Sequence, residues 1–119
     1  MITVDYKDRR PIYEQLIANI TGLALSGELQ PDQQLPSVRQ LASQLGINPN
    51  TISKAYVELE RRGIIYSVSG KGSFINSDLS AAAGDRRQEL EQRLRECVRD
   101  LKRLGADKSR LLDIIGEEL

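Results

Sequence analysis

The sequence contains no histidine, no tryptophan, one cysteine and one phenylalanine. Without histidine it lacks the commonest general base and the commonest metal ligand. Its one thiol, Cys97, excludes an internal disulfide framework and a thiolate zinc cage. Such sparing use of cysteine fits a reducing compartment. Aromatic residues make up 4% of the chain, too few for a platform that stacks single-stranded bases. Neither charge is in excess, because 17 Lys and Arg balance 17 Asp and Glu. A bulk cationic tail for nucleic acid or membrane is thereby excluded, and any anion-binding surface must be local. No apolar run approaches the roughly 18 residues of a membrane-spanning helix. The opening MITVDYKDRR has no apolar core of a secretory signal. These absences predict a soluble cytoplasmic protein with no cofactor, no metal, no membrane partner and no catalytic residues.

What is present is a series of short amphipathic segments in 119 residues, the length of one domain with an appendage. Residues 2–6 alternate weakly and suggest a short extended arm. Pro11 suits the first position of a helix. Tyr13, Leu16, Ile17, Ile20 and Ala24 then share one helical face up to a stop at Gly27. After a loop around Pro31, Ser37-Val38-Arg39-Gln40 has the form of a capping box. It opens a second helix with Val38, Leu41, Ala42 and Leu45 facing inward. Gly46 ends it, Asn48 caps a third helix, and Pro49 takes the first helical position. That helix runs to about Arg62 and buries Ile52, Ala55, Tyr56 and Leu59. Residues 64–68 and 73–76 flank a glycine turn and form a hairpin. Residues 77–84 are small and polar, the pattern of a linker. Over 85–104 a long charged helix carries Leu90, Leu94, Cys97, Leu101 and Leu104 at alternating spacings of four and three. Asp107 caps a last helix with Leu111, Leu112, Ile114, Ile115 and Leu119.

The predicted fold is mainly α with a small β-hairpin. A winged helix-turn-helix domain occupies residues 1–77, and a two-helix dimerisation region occupies 78–119. Two short helices cannot cover both of their own apolar faces. Leu90, Leu94, Cys97, Leu101, Leu104, Leu111, Leu112 and Ile115 are therefore expected to line a homodimer seam, with Cys97 a small interface residue.

A helix-turn-helix puts its second helix into the major groove of double-stranded DNA and reads bases from that helix's N-terminal end. Asn50, Thr51, Ser53 and Lys54 lie there, off the apolar face, with side chains suited to adenine edges and phosphates. Free N–H groups at the starts of helices two and three are each expected to hold a phosphate. Arg39 reaches a phosphate or a guanine. Gly70 and Gly72 let the wing backbone approach a minor groove, where Lys71 meets phosphate. Tyr56 is expected in the core, with its hydroxyl within reach of a backbone phosphate. Residues 1–77 hold eight basic and seven acidic side chains, so placement rather than total charge decides. With about four basic groups per protomer on phosphate, a dimer has a log–log salt slope near −7.

The segments PIYEQ, LPSVRQLA, NPNT followed by SKAY, and SGKGSF, together spanning residues 11–75, strongly resemble the DNA-binding domain of GntR-type bacterial transcriptional regulators. The short two-helix tail is similar to that of the YtrA-like subfamily. The resemblance implies a homodimer on an inverted-repeat operator, usually acting as a repressor, with control of a neighbouring transporter operon. It carries DNA contacts over to Ser37 and Arg39, to Asn48, Asn50, Thr51 and Ser53, and to Gly70. Two departures matter. Many family members have Pro-Gly before the LPS motif, whereas Pro31 is followed here by Asp32, which needs a different turn or a left-handed Asp. Larger-tailed subfamilies carry arginines early in the third helix, where this chain has Pro49 and Ser53, so their base-reading rules do not transfer. The stretch after residue 77 is too short to enclose an effector pocket, and a small-molecule effector stays unassigned. The rival reading is a winged-helix protein-interaction module that never touches DNA.

Overall fold

In the computed structural model, which describes residues 1–119, α1 spans Ile12–Ser26 and Pro11 sits just outside it as the N-cap residue. The face read from the spacing is the buried one: Leu16, Ile17, Ile20 and Ala24 are in the core and Tyr13 is half-buried. Helix α2 (Val38–Leu45) starts at a complete capping box. Ser37 Oγ accepts from the Gln40 N–H at 3.1 Å, and Gln40 Oε1 accepts from the Ser37 N–H at 2.9 Å. A tight turn through Gly46 and Ile47 leads to α3 (Pro49–Arg61), where Asn48 Oδ1 accepts from the Asn50 N–H at 2.8 Å.

Strands β1 (Ile65–Val68) and β2 (Gly72–Ile75) pair antiparallel, with Ile65 opposite Ile75 and Val68 opposite Gly72. On one face Tyr66 stacks on Phe74, with ring centroids 5.5 Å apart. The loop before α2 runs along β2. The Asp32 N–H donates to Ile75 O and the Leu35 N–H to Ser73 O, both at 2.8 Å. Of the two turns open at Pro31-Asp32, the chain takes the left-handed one: Asp32 has φ 62 and is the sole non-glycine residue with positive φ. Aspartate tolerates that region because its short polar side chain bonds locally, and here the carboxylate also accepts from the Tyr66 hydroxyl at 2.8 Å.

The core joins α1, α2, α3 and the hairpin, with Leu16, Ile20, Leu41, Ile52, Leu59, Ile64, Ile65 and Ile75 fully buried. Each such side chain contributes roughly 1.5–3 kcal/mol of burial free energy. Residues 2–6 form no strand. Ile2 and Val4 instead pack on the core, and buried Gln15 fixes the segment that follows. Its Nε2 donates to Asp5 O at 3.0 Å and Arg10 O at 2.8 Å, while its Oε1 accepts from the Asp5 N–H at 2.8 Å. Those bonds are what the Gln of PIYEQ does in the fold, since a buried amide needs its donors and acceptor satisfied.

The expected linker over 77–84 is largely helix instead, because α4 spans Ser80–Arg103. Asp78 Oδ1 accepts from the N–H and hydroxyl of Ser80, alanines at 81–83 favour helix, and Ala82 is buried in the core with Leu79 packed beside it. Tertiary docking thus starts the helix five residues before the charged run. The chain divides into two compact units, Met1–Ala83 and Gly84–Leu119. In the second unit the rest of α4 is followed by α5 (Lys108–Glu118), capped by Asp107 Oδ1 on the Arg110 N–H at 2.9 Å. No residue of this second unit is buried. No helix of the chain is long and apolar enough to cross a membrane.

Candidate nucleic-acid interface

Helix α3 lays Ile52, Ala55, Tyr56 and Leu59 on the core, and that orientation turns Asn50, Ser53 and Lys54 to solvent, with Thr51 half-buried. Asn48, Ser37, Arg39, Gly70 and Lys71 are exposed as well. Four consecutive residues, Gln34 to Ser37, join the elements that carry them. Gln34 Nε2 donates to Lys71 O at 2.8 Å and so holds the wing tip. Leu35 is buried and pairs with β2. Pro36 O accepts from the Tyr56 hydroxyl at 2.7 Å, which ties α3 to this strip. Ser37 caps α2. The start of α2, the second turn of α3 and the wing tip are therefore fixed to one another through this strip.

Two expectations change. Tyr56 does not offer its hydroxyl to a phosphate: it is spent on Pro36 O, and burial pushes the phenol up to about 12. The start of α3 is not an open phosphate cradle either. Pro49 has no N–H, the Asn50 N–H is taken by the Asn48 side chain, and the Thr51 N–H donates to Asn48 O at 3.0 Å. At α2 the capping box uses the N–H groups of Ser37 and Gln40, and those of Val38 and Arg39 stay open. Of these two helix starts, only that of α2 leaves backbone N–H groups open, and α3 presents its side chains.

The cations around α2, α3 and the wing divide into paired and unpaired ones. Arg61 and Arg62 both bond Glu58, Arg62 Nε at 2.8 Å from Glu58 Oε1, and together they hold the Glu58 carboxyl down at about 2. Arg10 pairs with Asp8 at 2.8 Å. Arg39, Lys54 and Lys71, on α2, α3 and the wing, have no ion-pair partner. At the wing, Gly72 has φ 122, and a Cβ there would sit 3.0 Å from Gln34 Nε2. Glycine at this position keeps both the turn and the Gln34 bond. Gln34 is a positioning residue that the sequence pattern did not reveal, since QPDQQ offers three glutamines without distinction.

In the second unit, Leu90, Leu94, Leu101, Leu104, Leu112 and Ile115 are exposed, as is Cys97, and Leu111 is half-buried. Leu104 lies just past the end of α4 and is 84% exposed. The charged residues between them pair along the helix, as in Arg93–Glu89 at 3.0 Å and Arg103–Asp100 at 2.8 Å.

Comparison with known proteins agrees with this geometry. The family model described as bacterial regulatory proteins, gntR family, matches residues 12–75. The chain is 37% identical over 118 residues to the HTH-type transcriptional repressor YtrA of Bacillus subtilis (strain 168), covering 98% of this chain and 91% of that protein. A crystal structure of a transcriptional antiterminator from Listeria monocytogenes EGD-e is similar over 99% of this chain and 89% of its own, with 37% identity and a TM-score of 0.81. AraR(DBD) in complex with operator ORE1 matches 63% of this chain and 92% of its own, with 32% identity and a TM-score of 0.53. The matched residues hold the capped α2, the outward face of α3 and both strands of the wing. The chain belongs to the GntR family of bacterial regulatory proteins, a transcriptional regulator with a winged helix-turn-helix.

Proposed function

We propose that the protein is a cytoplasmic repressor that binds double-stranded operator DNA as a homodimer, each protomer occupying one half of an inverted repeat. The sorting of cations carries this reading. Arg39 on α2, Lys54 on α3 and Lys71 on the wing have no ion-pair partner, whereas Arg10 is paired with Asp8, and Arg61 and Arg62 share Glu58. Arg39 and Lys71 contact phosphates on either side of the groove that takes α3. Ser37 and the open N–H groups beside it bind a phosphate at the start of α2. Asn50, Thr51 and Ser53 read base edges with Lys54 at the groove wall, Asn48 fixes their starting point, and Gly70 brings the wing backbone close. AraR(DBD), a relative with the same fold, is bound to its operator.

The tail supports the dimer. Seven of the twelve exposed large hydrophobic side chains lie between Leu90 and Leu119, in a unit without a buried residue. Such a patch needs a partner. A second copy offers the same surface, so a two-fold seam through Leu90, Leu94, Cys97, Leu101, Leu104, Leu111, Leu112 and Ile115 covers both at once. A two-fold dimer reads half-sites related by the same symmetry, and occupancy near a promoter blocks polymerase. Selection of bound fragments from genomic DNA tests this. Paired inverted half-sites at fixed spacing support it, and fragments upstream of transporter genes identify the regulated operon. Failure to retain any duplex at low salt overturns it in favour of a protein-binding winged helix.

A further inference from the structure

The segment before α1 is fixed beside the turn that presents α3. The Tyr6 hydroxyl donates to Leu45 O at 2.7 Å, across 39 residues of sequence. Leu45 is the last residue of α2 and stands three positions before the Asn48 cap. The segment is not loosely hung there. Gln15 clamps Asp5 and Arg10, and the Asp8 N–H donates to Asp5 O at 3.2 Å. Its acidic groups are turned to local partners: Asp5 Oδ1 accepts from the Lys7 N–H and Asp8 Oδ1 from the Arg10 N–H, both at 2.9 Å. Asp8 also neutralises the Arg10 guanidinium. Lys7 and Arg9 are left exposed with no ion-pair partner, as on the docking elements. The Lys7 Cα lies one peptide step, about 3.8 Å, beyond that of Tyr6.

We infer that residues 5–10 form an additional DNA-backbone contact, with Lys7 and Arg9 binding phosphates beside the groove that receives α3 and with Tyr6 and Gln15 as positioning residues. The inference rests on the docking proposed above. It adds two phosphate contacts per protomer to the three from Arg39, Lys54 and Lys71. Counterion release then steepens the log–log salt slope of a dimer from about −5.4 to about −9.

The test compares the intact protein with K7A/R9A, its charge-keeping partner K7R/R9K, Y6F and R39A, all on a duplex from the fragment selection. Slope, melting temperature and sedimentation are read together. K7A/R9A is expected to flatten the slope by about 3.6 with melting and dimer unchanged, and K7R/R9K to restore it. Y6F keeps both cations and the ring but loses the Leu45 bond, and is expected to weaken binding. If R39A flattens the slope while K7A/R9A does not, this inference is overturned and the docking stands. If neither moves it, the docking itself fails. If K7A/R9A lowers melting without touching the slope, the two cations serve only the negative end of the α2 dipole, and the inference is again wrong.

Discussion

Removing one arginine tests whether the sorting of cations has the meaning given to it. Arg39 is exposed and unpaired, whereas Arg62 shares Glu58 with Arg61. A phosphate bound by Arg39 in each protomer of a dimer releases about 0.9 counterion, so R39A flattens the log–log salt slope by about 1.8. Extrapolated from a common value at 1 M salt, that difference is about 30-fold in affinity at 0.15 M. R62A removes the same formal charge from the same domain, but Arg61 remains on Glu58 and no phosphate contact is lost. Its slope is expected to match that of the unaltered protein. Fluorescence anisotropy of a labelled operator between 0.05 and 0.5 M salt, ranges on the order of those over which such slopes are linear, reads both variants in one experiment. Equal flattening by R39A and R62A would falsify the sorting, because net charge and not placement would then govern binding.

Three further outcomes are expected. Gly72→Ala combines positive φ with a Cβ 3.0 Å from Gln34 Nε2; it costs on the order of 1–3 kcal/mol in thermal unfolding and weakens DNA binding, whereas Gln34→Ala weakens binding with a smaller loss of stability. Leu94→Glu puts a charge into the proposed seam and is expected to sediment as a monomer that no longer retains a two-half-site duplex but still melts cooperatively; a dimer that survives this change refutes the seam. Hydrogen bonds from Arg61 and Arg62 hold the Glu58 carboxyl at about 2, below its ordinary 4.5. The stabilisation it gives is fully present above pH 4.5 and is lost as pH falls through about 2. Glu58→Gln should flatten the stability profile in that acid window and leave it parallel at neutral pH.

Much of the fold was legible because local chemistry and tertiary packing agree. Ser37 and Gln40 announce a helix start that the structure builds as a capping box, and Asn48-Pro49 announces the next. Glu58 precedes Arg61 and Arg62 by three and four positions, the spacing of helical ion pairs, so that neutralisation was also open to reading. Other features depended on contacts far apart in sequence. Nothing local says that Ala82 docks into the core and draws 80–84 into helix, since small residues serve equally in a linker. The phosphate cradle expected at α3 fails partly for reasons the sequence already held, since Pro49 has no N–H and a capping Asn48 occupies another donor, while the choice of the Asn50 N–H is a matter of rotamer. Tyr56 and Pro36, and Gln34 and Lys71, are likewise pairs whose separation in sequence hides them.

Asp32, in the loop before α2, and Tyr66, on β1, depend on one another. A glycine at 32 adopts the same turn unaided, so a chain carrying it is free to place any side chain that stacks at 66. Once aspartate is installed, the hydroxyl opposite gains value and a drift to phenylalanine there loses a bond. Among related sequences the two sites are expected to change in concert, acid with hydroxyl and glycine with neither.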